Sequence, residues 1–117
     1  MDKETGMTNL SLPPLVQKYF TAAKDNDWDT LAGCFIEGGI VVDDGHTYLG
    51  RAEIIRWREQ AGSQWTYTSE LTKAEPVGAT GYHVVDHLEG NFPGGVADLH
   101  CQFTFKDDLI YTLTIAP

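Results

Sequence analysis

The fold is decided by the stretch Gly38-Gly-Ile-Val-Val-Asp-Asp-Gly-His-Thr-Tyr-Leu-Gly-Arg-Ala-Glu-Ile-Ile-Arg-Trp57. Its pattern predicts a strand, a tight turn, a second strand and a helix. An Asp-Gly pair between two apolar runs is a hairpin signal, because glycine takes a positive φ without steric cost. Asp43 therefore ends an apolar strand, and Asp44 belongs to the turn. The carboxylate of Asp43 is either a general base sheltered by the apolar body beside it or a turn residue facing water.

Helical periodicity surrounds this hairpin. Residues 15–23 carry apolar side chains at spacings of three and four, which predicts a first helix. Asp27 is a suitable N-cap for a second helix, whose apolar side reaches Phe35 and which Gly38-Gly39 ends. A third helix is predicted from about residue 50 to residue 60.

Period-two alternation dominates the rest of the chain, from Trp65 onward, and predicts four long strands in an antiparallel meander. Helices grouped before strands favour an α+β fold. We expect three N-terminal helices packed on one face of a mixed or antiparallel sheet, with a short β-hairpin between helices 2 and 3. Residues 11–117 form a single domain in this interpretation, and residues 1–10 a flexible N-terminal tail.

Charge and composition exclude several functions. The net charge is −9, with only eight Lys and Arg among 117 residues, so no nucleic-acid or anionic-membrane partner is expected. The same charge disfavours anionic substrates, although a local arginine could overrule it. The sequence has no apolar run long enough for a membrane span and no visible secretory signal. Cys34 and Cys101 lack metal or redox spacing and suit a reducing cytoplasm as buried small hydrophobes.

Histidines are the remaining polar cluster. His83 and His87 share one face of a predicted strand, His100 lies on the next strand, and Asp86 faces the other way. Without a third ligand at a suitable spacing, no metal site is predicted, and solvent or a dimer interface is the favoured environment. His87 or His100 as an acid–base partner of Asp43 stays open. No phosphate loop or dinucleotide motif is present, so no cofactor is predicted.

The sequence resembles the superfamily of nuclear transport factor 2, which includes ketosteroid isomerase, scytalone dehydratase and the SnoaL-like polyketide cyclases. Five segments carry the resemblance: residues 16–35, 40–43, 50–57, 92–95 and 103–110. The resemblance implies a cystatin-like α+β barrel in which the curved sheet forms a cone with an apolar pocket at its open end. It also implies a homodimer through the outer face of the sheet.

A closer match to ketosteroid isomerase implies site residues. Asp43 falls at the general base of that enzyme and Tyr19 at its oxyanion-hole tyrosine. Cys101 stands where a neutral carboxylic acid is expected, and a thiol is a weak hydrogen-bond donor. This departure argues against steroid isomerisation itself and leaves a weaker or different proton-transfer site open. Tyr19 also has a second interpretation, as a core tyrosine on an apolar helix face.

Three functional hypotheses follow. The first is a cofactor-free isomerase or lyase acting on a small apolar, polyketide-like or steroid-like molecule. The second is a non-catalytic small-molecule-binding protein, and the third is a protein-interaction module. Besides catalytic Asp43 and Tyr19, the predicted substrate-binding residues are Trp57, Tyr67, Phe103, Cys101, His87 and His100. The aromatic residues among them can equally be ordinary core.

Overall fold

The computed structural model describes residues 12–117, apart from the side chains of residues 62 and 63. The tail predicted over residues 1–10 lies outside the described residues. The helices are α1 (Pro14–Lys24), α2 (Trp28–Gly33) and α3 (Arg51–Gln64). The strands are β1 (Phe35–Asp43), β2 (His46–Leu49), β3 (Tyr67–Val77), β4 (Gly81–Gly90), β5 (Val96–Lys106) and β6 (Leu109–Ala116).

All six strands form one mixed sheet in the order β2-β1-β6-β5-β4-β3. Neighbouring strands are antiparallel, except that β1 and β6 run parallel. Strands β3 to β6 follow one another through short loops, which is the connection that antiparallel pairs permit. The α+β class, the three helices and the hairpin between α2 and α3 are confirmed. None of the described helices meets the length and apolarity that a bilayer span requires.

The hairpin turn has the predicted chemistry. Asp44 and Gly45 adopt φ values of 53° and 79°, as the two central residues of a tight turn between β1 and β2 must. Asp43 is the last residue of β1, pairing with His46 on one side and Ile115 on the other. Asp44 is therefore the turn residue, whereas the backbone of Asp43 is paired with β2 on one side and β6 on the other.

The second helix ends earlier than the sequence predicts. Asp27 does cap it, accepting a hydrogen bond of 3.2 Å from the backbone N–H of Thr30. The helix stops at Gly33, however, and Phe35 begins β1, so the predicted continuation to Phe35 is wrong. The Arg51 guanidinium donates two hydrogen bonds, of 3.1 and 2.7 Å, to the Phe35 carbonyl. The N–H of Ile110 in β6 also donates to the Cys34 carbonyl at 2.8 Å, so contacts with distant residues replace the helical hydrogen bonds predicted here.

The two faces of the sheet differ in their partners. One face packs against the helices through buried side chains, and we call it the inner face; it carries Val84, Cys101, Phe103 and Leu113. The opposite, outer face carries alternating polar residues such as His87 and His100. Successive side chains of a strand point to opposite faces, so this assignment follows from register. The inner face together with the three helices forms the core.

Candidate active site

Asp43 lies on the inner face at the end of β1. It is half-buried and lies two residues after Val41, which is fully buried. Its Oδ2 accepts a hydrogen bond of 2.8 Å from the indole Nε1–H of Trp57 in α3. Trp57 is 3% exposed and packs against Tyr48 with a centroid distance of 6.0 Å. A rigid buried donor therefore fixes the carboxylate, and among the described residues Oδ1 has no protein partner.

Tyr19 faces the same side of the sheet from α1. Its ring makes edge-to-face contacts with Phe20, Phe35 and Phe103, at centroid distances of 5.0, 6.1 and 5.5 Å. Burial raises the pKa of the Tyr19 hydroxyl far above its usual value, and the charge of Arg58 only partly offsets this. The ring is thus part of the core, and the hydroxyl keeps its proton at any working pH as a hydrogen-bond donor.

Arg58 is the cation of this inner cluster. Its Cζ lies 5.4 Å from the centroid of Trp28 and 5.1 Å from that of Trp57, within cation–π range. Its Nη2 donates a hydrogen bond of 3.3 Å to the hydroxyl of Tyr67. Burial acts to lower the pKa of Arg58, but the facing groups, led by Tyr19, outweigh it, and the net shift is upward. The guanidinium therefore stays charged.

Two further acids line the inner face. Cys101 is 3% exposed, and burial, followed by Asp86 and Asp43, raises the pKa of its thiol to about 12. Burial also raises the pKa of the Asp86 carboxyl, against the lowering effects of the Ser69 hydrogen bond and the charge of Arg58. In both groups, burial disfavours the charged form.

Strand register relates these groups in space. Asp43 pairs with Ile115, Ile115 with Cys101, and Cys101 with Val84, so these four residues form one row across the inner face. Asp86 lies one row further along β4, beyond Val84. The electrostatic influence of Asp43, Asp86 and Arg58 on Cys101 agrees with this arrangement. The predicted residues Asp43, Tyr19, Trp57, Tyr67, Phe103 and Cys101 are thus brought to the helix side of the sheet.

His87 and His100 are not brought to this cluster. They lie on the outer face, because each neighbours an inward residue in its strand. His87 contacts Asp98 at 2.6 Å and Glu89 at 2.8 Å, and these carboxylates raise its pKa. The imidazole of His100 stacks on that of His83, and Nδ1 of His100 lies 2.8 Å from Nε2 of His83. Within the described part of the chain, no three His, Cys, Asp or Glu side chains are grouped as metal ligands.

Sequence reasoning missed the roles of Arg58 and Asp86, although each left a signal. Arg58 follows Ile54 by four positions, on the apolar side of α3, where a charge is unusual. Asp86 alternates with Val84 and Leu88 on one face of β4. A charged residue in phase with an apolar stripe is the pattern to look for.

Comparison with known proteins supports the fold. No family model and no curated protein sequence matches the chain. Among solved structures, a candidate polyketide cyclase from Sinorhizobium meliloti is 32% identical, with a TM-score of 0.84 over 90% of this chain and 95% of that one. A protein with a ketosteroid isomerase-like fold from Catenulispora acidiphila, crystallised with trimethylamine, is 18% identical, with a TM-score of 0.80 over 92% and 87%.

A third structure broadens the comparison. A nuclear transport factor 2-like protein of unknown function from Cytophaga hutchinsonii is 11% identical, with a TM-score of 0.71 over 99% of this chain and 93% of that one. The fold defines the class as α+β proteins with the ketosteroid isomerase-like architecture. The chain belongs to the nuclear transport factor 2-like superfamily, alongside the SnoaL-like proteins, as its sequence resemblance indicates.

Proposed function

We propose that this protein is a cofactor-free enzyme that moves a proton on a small apolar, polyketide-like molecule. The ligand would lie in a cone-shaped pocket at the inner face, against Trp57, Tyr67, Phe103 and Cys101. Asp43 would be the general base and Tyr19 the oxyanion donor. The observation that carries this proposal is the hydrogen bond of 2.8 Å that fixes Asp43 Oδ2 on Trp57.

The chemistry of each group supports these roles. A general base must be held within reach of its proton. Asp43 is oriented through Oδ2, and none of the described residues bonds to its Oδ1. When Asp43 accepts the α-proton of a ketone, the electron pair moves to the carbonyl oxygen as an enolate. The protonated Tyr19 hydroxyl is a donor suited to that enolate. Return of the proton to another position completes an isomerisation.

Asp86, when protonated, is a stronger hydrogen-bond donor than the thiol of Cys101. A thiol is a poor hydrogen-bond donor, whereas a protonated carboxyl is a strong one. The carboxyl whose pKa is raised by burial belongs to Asp86, one row beyond Cys101 on the inner face. We propose that Asp86, in its protonated form, is a second donor toward the enolate.

Hydrogen exchange tests this function without knowledge of the natural substrate. In D2O, the protein should speed exchange of the α-protons of 2-tetralone, a small partly aromatic ketone, as followed by proton NMR. Asp43→Asn keeps an acceptor for Trp57 and should slow exchange by about 10²- to 10⁴-fold. The control is Asp44→Asn, since Asp44 is an exposed turn residue whose positive φ suits asparagine.

Each outcome has a clear meaning. Exchange that survives in Asp43→Asn rejects Asp43 as the base. Ketone binding without any exchange in the natural protein instead supports the non-catalytic binding function.

We also propose that the protein forms a homodimer through the outer face of its sheet, in a reducing cytoplasm. The cluster around Asp43 lies on the opposite, inner face, so a dimer of this kind leaves it accessible. The cysteines at positions 34 and 101 are both free and buried, which suits a reducing compartment.

A further inference from the structure

Arg58 has a different environment from the other arginines of the chain. The chain has three arginines, all in α3. Arg51 is engaged with the Phe35 carbonyl, and Arg56 is exposed. The Nε atom of Arg58, in contrast, is buried and has no hydrogen-bond partner among the described residues. A buried donor without an acceptor costs free energy of folding, and native proteins rarely leave one unpaired.

The surroundings of Arg58 leave most of its donors unused. A guanidinium has five N–H groups, and the one hydrogen bond it makes to a described residue is from Nη2 to Tyr67, at 3.3 Å. The indole rings of Trp28 and Trp57 flank it at 5.4 and 5.1 Å and attract its charge, but they supply no oxygen acceptor. The guanidinium is therefore partly desolvated, and the described residues use little of its hydrogen-bonding capacity.

No direct ion pair neutralises Arg58 within the described residues. Asp43 and Asp86 influence it electrostatically, yet neither lies within the 4 Å of an ion pair. Asp43 is held by Trp57, and Asp86 by Ser69. Buried cations in proteins are normally paired, because an isolated charge is costly away from water. The acceptor that fits here is one that enters with a ligand.

We propose that Arg58 binds the carboxylate of the substrate, and that the substrate class is small aromatic or conjugated carboxylic acids. The planar guanidinium matches a carboxylate edge to edge, and the flanking tryptophans suit an apolar body attached to it. This inference deepens the proposed function by naming its substrate class. The net charge of −9 disfavours anionic substrates in general, and in this proposal Arg58 is the local arginine that overrules it.

The test compares 2-naphthoate with 2-naphthamide, which share a ring system and differ in charge. Isothermal titration calorimetry of the natural protein should show naphthoate binding at least about tenfold more tightly, as a charge-assisted hydrogen bond implies. Arg58→Met should remove most of this preference. Arg56→Met is the matched control, because Arg56 is an exposed arginine of the same helix, and it should keep the preference.

Three results would overturn the inference: equal affinities in the natural protein, an unchanged preference in Arg58→Met, or no measurable naphthoate binding. Circular dichroism checks that each variant is folded, and Arg58→Gln replaces Arg58→Met if the latter is not. Asp43→Asn separates this inference from the proposed function. The Asp43→Asn variant should retain the naphthoate preference, so a failure of the base assignment would leave the role of Arg58 intact. Likewise, a failure of the Arg58 assignment would leave the role of Asp43 as the base intact.

Discussion

The indole N–H of Trp57 donates to Oδ2 of Asp43 at 2.8 Å, which joins the third helix to the end of the first strand. Fourteen residues separate the two partners in sequence. Trp57 is almost fully buried and Asp43 half-buried, so the bond is made at the boundary between the core and the inner face. The same indole contacts Arg58, which makes Trp57 the link between the proposed base and the cation beside it.

Replacing Trp57 by Phe should lower turnover more than it lowers stability. The substitution keeps an aromatic ring in the core but removes the N–H, and a hydrogen bond to a charged group is worth enough to change a rate about tenfold or more. We expect kcat for ketone proton exchange to fall by that factor, with KM little changed. Trp65→Phe is the control, since Trp65 is 37% exposed. An unchanged kcat would contradict a positioning role for Trp57.

Replacing Tyr19 by Phe distinguishes the two interpretations of that residue. The ring contacts with Phe35 and Phe103 remain, so the free energy of unfolding should change by less than about 1 kcal/mol. Loss of the hydroxyl should lower kcat by about 10²- to 10³-fold if it stabilises an enolate. Tyr111→Phe, at an exposed tyrosine, should leave kcat unchanged. Full turnover in Tyr19→Phe would make Tyr19 a core residue alone.

Replacing Asp86 by Asn should change how stability depends on pH. Burial raises the pKa of Asp86 in the folded protein, so between the ordinary and the raised pKa the folded state binds more protons than the unfolded state. The free energy of unfolding therefore falls as pH rises through this window. Asparagine removes that loss, so Asp86→Asn should be more stable than the natural protein at pH 7, by about 1 kcal/mol.

The Asp86 comparison is made by thermal unfolding across the acid range. Below the ordinary pKa of aspartate, this source of difference should vanish, because Asp86 is then protonated in both states. Glu59→Gln, at an exposed position of the third helix, should show no such pattern. If Asp86→Asn stabilised the protein equally at low and neutral pH, burial would not be raising the pKa of Asp86.

Adding a charge to the outer face tests the proposed homodimer. Gln102 is exposed there, with His83 and Thr114 as its register partners. In a symmetric dimer Gln102→Glu adds a like charge to both copies, which should weaken association about tenfold or more. Light scattering after size-exclusion chromatography measures this, with Gln64→Glu at the end of the third helix as the control. A natural protein that is monomeric, or a dimer insensitive to Gln102→Glu, would rule out this interface.

Local chemistry made parts of the fold readable from the sequence. The turn at Asp44-Gly45 needs two positive φ angles, and the cap at Asp27 needs a short side chain that accepts from Thr30. Period-two alternation along β4 predicts that Asp86 lies on the opposite face from His83 and His87, as the strand register confirms. Each of these features depends on residues a few positions apart, which is why a sequence pattern suffices.

The rest was decided by contacts between distant parts of the chain. Nothing near Phe35 in the sequence shows that its carbonyl will accept hydrogen bonds from Arg51 and that Phe35 will pair with Ile110 of β6 instead of continuing the second helix. Helical period places Arg58 beside the apolar stripe, but only the packing of the helices brings Trp28, Tyr67 and Trp57 around its charge. The sequence thus determined the class of fold and the candidate base. The tertiary structure decided which charges are desolvated together, because desolvation depends on neighbours that folding brings from elsewhere in the chain.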